Sequence, residues 1–82
     1  MKSINIQIVS PKGTLYEGSL EYAVFPGLLG EFAVYPAHAP LISMLAKGAI
    51  KCVTGGGKDE IIPVGGGFVE VNGNKITVCV EQ

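Results

Sequence analysis

Glycine and proline interrupt this chain of 82 residues so often that little room is left for a long helix. Twelve glycines and five prolines are present, and the longest stretch without either is Met1–Ser10. Each glycine inside a helix costs about 1 kcal/mol relative to alanine, and each proline costs about 3 kcal/mol. The uninterrupted stretches are therefore predicted to be short β-strands.

Apolar and polar residues alternate within those stretches. Ile4, Ile6 and Ile8 fall on one face of the first stretch, which is typical of a half-buried strand. Short strands at this spacing predict an antiparallel sandwich or barrel, one all-β domain covering residues 1–82 without substantial helix. The predicted strands cover residues 4–8, 14–17, 20–25, 32–35, 41–46, 49–54, 58–64, 68–71 and 75–80.

The ends of some strands, and the residues that share one face of a strand, can also be predicted from the local sequence. Gly18-Ser19 is expected to separate two strands, the second with Leu20, Tyr22 and Val24 on one face. Asn72-Gly73-Asn74 is typical of a hairpin turn, because its central glycine adopts positive φ at low cost.

Two further predictions rest on proline and glycine. Pro63 cannot donate to a sheet ladder, so its strand is expected at an edge or a bulge. Gly65-Gly66-Gly67 lacks the spacing of a dinucleotide-binding loop, and a bulge or a close approach of two backbones is expected there.

The charge balance excludes one class of partner. Six lysines, no arginine and seven acidic residues give a net charge of −1. Nucleic-acid binding draws on clustered cations that neutralise phosphates, so nucleic acid is not expected as a partner.

The sequence contains no targeting signal and no cysteine motif. Met1–Ser10 lacks the apolar run of a signal peptide, and no stretch approaches the roughly 18–20 apolar residues of a membrane span, so a cytoplasmic or cytoplasm-facing location is expected. Cys52 and Cys79 form no CxxC pair and are expected to be buried, reduced thiols. Their pairing across adjacent strands stays open.

No catalytic, metal or cofactor site is predicted. Gly55-Gly56-Gly57-Lys58 lacks the first glycine and the final Ser or Thr of a phosphate-binding loop. His38, the single histidine, has no acid or metal-ligating residue at a useful spacing, so a structural or interface role is expected. The chain is not expected to be an enzyme by itself.

The loop of residues 26–32 is unusual in its composition. Leu28 and Leu29 stand in a turn bracketed by Gly27 and Gly30 and followed by Glu31. Exposed, the two leucines would form a docking surface. Folded back, they would close one end of the sandwich, and the sequence leaves both alternatives open.

A long motif runs through the chain: Pro26-Gly27-x-x-Gly30-Glu31-Phe32-x-Val34-x-Pro36-x-His38-Ala39-Pro40-Leu41, then Gly66-Gly67-Phe68-Val69-Glu70-Val71 and Ile76-Thr77-Val78. This motif closely resembles the epsilon subunit of bacterial F-type ATP synthase. The opening Ile6-x-Ile8-Val9-Ser10-Pro11 and Leu15-Tyr16-Glu17-Gly18 fit as well, so the resemblance covers nearly the whole chain. One departure is Ala33, which stands where the family usually has glycine.

The resemblance implies a fold and a role. The fold would be a flattened ten-stranded antiparallel β-sandwich, the amino-terminal domain of that subunit. This domain performs no chemistry and joins the gamma subunit to the c-subunit ring of the membrane rotor, which couples proton flow to ATP synthesis. It would lie at the cytoplasmic side of the bacterial inner membrane, associated with the membrane only through the complex, and would bind no cofactor.

Interface residues also follow from the resemblance. Leu28, Leu29, Gly30 and Glu31 would face the c ring. The residues expected to lie toward gamma are Ser10, His38, Ala39, Pro40 and Ser43.

Family members continue with a carboxy-terminal helical hairpin that inhibits ATP hydrolysis in many species and binds ATP in some. This sequence stops at Gln82, so neither property is transferred to it. A naturally short chain and a shortened one both fit the sequence. The alternative function is a free-standing β-sandwich that binds a small ligand such as a carbohydrate, which would need aromatic residues on an open face.

Overall fold

The computed structural model describes residues 3–81 and confirms the all-β prediction; Met1, Lys2 and Gln82 lie outside the described residues. No segment between residues 3 and 81 is helical. Within that range the nine strands are β1 (Ile4–Ser10), β2 (Gly13–Leu20), β3 (Tyr22–Gly27), β4 (Gly30–Val34), β5 (Leu41–Leu45), β6 (Gly48–Val53), β7 (Asp59–Val64), β8 (Gly66–Asn72) and β9 (Lys75–Glu81).

The strands form the two layers of a sandwich. One layer has the order β2-β1-β9-β8-β5, and the other has β3 at its centre with β4 on one side and β6 followed by β7 on the other. Every pairing among the described strands is antiparallel except that of β1 with β9, which is parallel. The first and last strands are therefore neighbours inside one layer.

The two layers are joined at one corner. Leu45 at the end of β5 lies opposite Gly27 at the end of β3. The backbone N–H of Ala46 donates to the carbonyl oxygen of Pro26 at 2.7 Å, and that of Leu28 donates to Met44 at 3.2 Å. These bonds make the two layers one continuous curled sheet.

The core lies between the layers. The predicted inward face of β1 is confirmed, because Ile4, Ile6 and Ile8 are buried. Apolar residues from both layers join them: Leu20, Ala23, Phe25, Val34, Leu45, Ile50, Cys52, Val53, Val64, Val69, Val71, Ile76, Val78 and Val80.

The expected break at Gly18-Ser19 is wrong, and it changes which residues face inward. Strand β2 runs unbroken to Leu20, and the chain bends at Glu21 instead. The bend shifts the alternation by one residue, so the buried Leu20 shares the inward face with Ala23 and Phe25 and not, as predicted, one face with Tyr22 and Val24. An edge strand accommodates Gly18 because its other neighbour is solvent.

The predictions for proline and the glycine run are confirmed. Strand β7, which holds Pro63, lies at the edge of its layer. Gly66 and Gly67 have φ of +138° and +140° at the start of β8. A Cβ atom on Gly67 would collide with the carbonyl oxygen of Cys79, so this is a close approach of two backbones.

Two other expectations have clear outcomes. The strand predicted at residues 41–46 is confirmed as β5, which ends one residue earlier, at Leu45. The described residues hold nine strands where the resemblance implied ten. Residues 35–40 stay outside the sheets, since Pro36 and Pro40 cannot donate to a ladder and Ala37 has a φ of +61°.

Candidate docking face

The turn between β3 and β4 presents its leucines to solvent. The exposed fractions of Leu28 and Leu29 are 62% and 105%, so they do not fold back over the sandwich end. Gly30 has a φ of +136°, which suits glycine, and Glu31 is exposed beside it. The four residues expected to face the c ring therefore form one exposed turn.

The turn is fixed to β5 by the Leu28–Met44 backbone bond and by its own tight geometry. A Cβ atom on Gly27 would lie 2.6 Å from the carbonyl oxygen of Gly30, so only glycine fits at that position. An open hollow between the turn and β5 is lined by both leucines together with Ile42 and Met44. The exposed leucines thus continue onto the outer face of β5.

Four apolar residues lie side by side across the outer face of the larger layer. Met44 on β5 is opposite Phe68 on β8, Phe68 is opposite Cys79 on β9, and Cys79 is opposite Val9 on β1. We call these four residues the apolar row. Met44 and Phe68 are 56% and 42% exposed, whereas Cys79 and Val9 are half-buried.

A polar row lies beside the apolar row on the same face. Moving two residues along β8, β9 and β1 leads to Glu70, Thr77 and Gln7, which are again opposite one another in register. Glu17 on β2 lies opposite Gln7 at one end of this row, and the exposed Ile42 on β5 lies opposite Glu70 at the other. Both glutamates are exposed. This face therefore pairs an apolar stripe with an acidic one.

The two serines expected to face gamma stand at the two ends of the apolar row. Ser43 adjoins Met44 on β5, but its side chain is half-buried and its Oγ donates to the Met44 carbonyl at 3.3 Å. Ser10 adjoins Val9, and its Oγ accepts from the backbone N–H of Lys12 at 3.2 Å within the β1–β2 turn. Both hydroxyls form local hydrogen bonds. The outer surface at these two points is therefore formed by the outward-facing neighbours, Met44 and Val9.

The remaining residues expected to face gamma precede β5. Ala39 and Pro40 are exposed, and the half-buried His38 has its Nδ1 2.7 Å from the carbonyl oxygen of Ala39. A carbonyl oxygen only accepts, so Nδ1 is the protonated ring nitrogen. This segment lies level with the β8–β9 turn, at the opposite end of the strands from Ser10, so the structure does not bring all five residues together.

Asn74 holds this segment in place. Its Oδ1 accepts a 2.6 Å bond from the backbone N–H of Ala37, and its own carbonyl accepts one from Asn5 at 2.9 Å. Ala37 is the one non-glycine residue between 3 and 81 with positive φ. The β8–β9 turn thereby supports the strained backbone before His38.

Sequence reasoning missed the apolar row. Local patterning shows which residues alternate but not which distant strands lie side by side. The available signal was that β5 is apolar on both faces, with Leu41 and Leu45 on one and Ile42 and Met44 on the other. A strand that is apolar on both faces is typical of one covered on both sides.

The two cysteines are free and lie in different layers. The expected burial is confirmed for Cys52, which lies in the core, and is wrong for Cys79, which is half-buried because it belongs to the outer face of β9. Burial, with a smaller contribution from the charge of Glu60, raises the pKa of Cys52 to about 11. Burial also raises the pKa of Tyr16, helped by the charges of Cys52 and Glu60.

Between residues 3 and 81, no three His, Cys, Asp or Glu side chains come together as a metal site would require. The described residues also contain no helix of the length and apolarity needed to cross a bilayer.

Comparison with known proteins connects this fold to one family. The model of the ATP synthase delta/epsilon chain β-sandwich domain matches residues 3–82. The ATP synthase epsilon chain of a Nitratiruptor species is 40% identical over 81 residues, which are 99% of this chain and 63% of that relative. That of Desulfitobacterium hafniense is 42% identical over 79 residues, 96% of this chain and 59% of the relative. The chain thus spans about three fifths of these relatives' length.

Solved structures agree on the fold. A chain in the cryo-EM structure of the Euglena gracilis mitochondrial ATP synthase (OSCP/F1/c-ring) matches 100% of this chain and 52% of its own length, with a TM-score of 0.93 at 19% identity. A chain of the Tetrahymena thermophila mitochondrial ATP synthase central stalk and c ring matches 96% of this chain and 63% of its own length, with a TM-score of 0.79 at 13% identity. At these identities the likeness concerns the fold alone. Because the family model and relatives at 40% identity span nearly all of it, the chain belongs to the family of ATP synthase delta/epsilon-chain β-sandwich domains.

Proposed function

We propose that this chain is a non-catalytic rotor component of an F-type proton-translocating ATP synthase, joining the gamma subunit to the c ring and so coupling proton flow to ATP synthesis. The observation that carries the proposal is the identity of 40% over 99% of the chain with a protein named ATP synthase epsilon chain. The proposed location is the cytoplasmic side of the bacterial inner membrane, reached through the complex.

The gamma subunit is proposed to dock on the apolar row. Monomeric proteins rarely leave a contiguous apolar stripe uncovered, and stripes of this kind mark docking sites. The row also extends between Ser43 and Ser10, two of the residues expected to face gamma. His38, Ala39 and Pro40 would contact gamma at the margin of this face.

The c ring is proposed to contact the turn formed by Leu28, Leu29, Gly30 and Glu31. The tight Gly27 geometry and the bond to Met44 hold this turn in one conformation, which lowers the entropy lost on docking. Because the turn adjoins β5, one rigid block would touch both partners. A rotor coupling needs such a block to resist shear.

Binding to purified gamma subunit tests the proposal directly. The wild-type chain should bind gamma, and Phe68→Asp should weaken binding about 30-fold or more, as expected when a central apolar contact worth about 2 kcal/mol is lost. Ile61→Asp is the matched control, because Ile61 is 57% exposed on β7 in the other layer. No gamma binding by the folded wild-type chain would refute the proposal, and equal effects of the two variants would refute the docking face.

The ring contact needs the assembled enzyme. Glu31→Lys should reduce ATP-driven proton pumping in membrane vesicles without unfolding the domain, whereas Glu21→Lys, the same charge change at the β2–β3 bend, should not. Equal pumping by the Glu31→Lys and wild-type enzymes would remove Glu31 from the ring contact.

The alternative, a free-standing module for a small ligand or carbohydrate, finds less support. Its binding site would need aromatic side chains gathered on one open face. Phe25 is buried and stacks with Phe32 at 5.6 Å, while Tyr22 stacks with Tyr35 at 4.9 Å. Phe68 belongs to the apolar row instead.

A further inference from the structure

Two exposed carboxylates, Glu70 and Glu17, lie beside the apolar row and restrict which partner surface fits the docking face. Glu70 lies two residues along β8 from Phe68, and Glu17 lies opposite Gln7, which is two residues along β1 from Val9. Two residues of a strand span about 6.8 Å, less than the roughly 8 Å over which salt screens charges at physiological ionic strength. A partner seated on the apolar row therefore lies within the field of these carboxylates.

Neither carboxylate forms an ion pair with another residue of the described range. Between residues 3 and 81, the ion pair found is Lys51–Asp59 at 3.9 Å, on the other layer. Among the described lysines, the nearest on this face is Lys75, which lies one further step along the strands, opposite Asn72 and Asn5. It lines one shallow hollow with Glu17 but forms no ion pair with either glutamate, so both carboxylates can pair with a partner.

The opposite side of the apolar row is electrostatically different. Glu81 lies there, but Lys12 lines the same hollow. The two charges offset each other there, whereas the two glutamates of the polar row have a single lysine, Lys75, beside them, which leaves that side with a net negative charge. The asymmetry gives a partner one favourable orientation across the row.

We propose that the gamma surface docking here has an apolar ridge flanked on one side by lysine or arginine, which pair with Glu70 and Glu17. This inference rests on the proposed function and adds to it the chemistry of the partner surface and its orientation. Glu70 on β8 and Glu17 on β2 are separated by three strand spacings, so the matching cations stand about 14 Å apart.

The charges act mainly on association. Charges at the rim of an interface steer the encounter and set its salt dependence, whereas buried contacts set dissociation. The net charge of the whole chain is only −1, so general attraction to a cationic partner is weak. The steering must come from local pairs such as these.

The experiment measures association and dissociation rates with purified gamma between low and physiological salt. The double variant Glu17→Lys/Glu70→Lys should associate about tenfold more slowly at low salt and lose most of the salt dependence, with a smaller change in dissociation. Glu21→Lys/Glu60→Lys is the control, since it changes the net charge equally at exposed positions outside the polar row.

The outcomes separate this inference from the proposed function. If the wild-type chain binds gamma, Phe68→Asp weakens binding and the two double variants behave alike, the cationic flank is refuted and the docking face stands. If the wild-type chain does not bind gamma, the proposed function fails first. Slower association of Glu17→Lys/Glu70→Lys, without slower association of Glu21→Lys/Glu60→Lys, would support the inference.

Discussion

Gly67 is the position where a single added methyl group should unfold the domain. It lies on β8 opposite Leu45 and Val80, with a φ of +140°. A Cβ atom there would meet the carbonyl oxygen of Cys79 and stand 2.8 Å from the Cα of Val80. Both are backbone atoms of β9, which cannot move without breaking the ladder between β8 and β9.

The cost of Gly67→Ala has two parts. A backbone conformation reserved for glycine costs about 1–3 kcal/mol when alanine adopts it. Overpacking against fixed atoms costs about 1–3 kcal/mol more. The sum of about 2–6 kcal/mol is comparable to the whole net stability of a domain this small, roughly 3–5 kcal/mol. We therefore expect Gly67→Ala to be largely unfolded at 25 °C.

Urea unfolding followed by circular dichroism checks this against two matched substitutions. Gly30 has a similar φ of +136° but open space around a Cβ, so Gly30→Ala should lose only the backbone part. Gly56 has neither constraint, so Gly56→Ala should be neutral or stabilising by about 0.4–1 kcal/mol. If Gly67→Ala proves no less stable than Gly30→Ala, the overlap argument is wrong.

Three further predictions concern thiols and the segment before β5. Burial raises the pKa of Cys52 from 9.0 to about 11, so the folded state keeps its proton at pH values where the unfolded state loses it. The free energy of unfolding should therefore fall as pH rises from about 9 to about 11, and guanidinium midpoints should fall less in Cys52→Val. A thiol reagent should modify the half-buried Cys79 in the native protein and Cys52 only on unfolding; equal rates would contradict their different burial. Asn74→Ala removes the acceptor for the Ala37 N–H and should speed amide exchange of Ala37 about fivefold, consistent with a bond worth about 1 kcal/mol, whereas Asn72→Ala should leave that rate unchanged.

Features set by local sequence could be predicted. The isoleucines of β1 alternate without interruption, so their inward face followed directly from the period of a strand. The turn at Asn72-Gly73-Asn74 was equally local, since Gly73 adopts its φ of +65° without a steric penalty.

Features set by distant partners could not be predicted locally. Gly18 reads as a break until β1 is seen to lie beside it and hold it in the ladder. The apolar row joins Val9, Met44, Phe68 and Cys79, whose neighbourhood depends on strand order and register rather than on spacing along the chain. The family resemblance indicated the interface segments, but identifying the residues at the centre of the face required the order and register of the strands.

The parallel pairing of β1 with β9 dictates the order of events during synthesis. Strand β9 is the central member of its layer, between β1 and β8, and of the nine strands it is the last that the ribosome makes. Until residues 75–81 emerge, the β1–β2 hairpin has no neighbour on its inner edge, and Ile4, Ile6 and Ile8 remain uncovered. Closing the layer joins the first strand to the last, so folding is expected to be slow and completed only after translation of this domain.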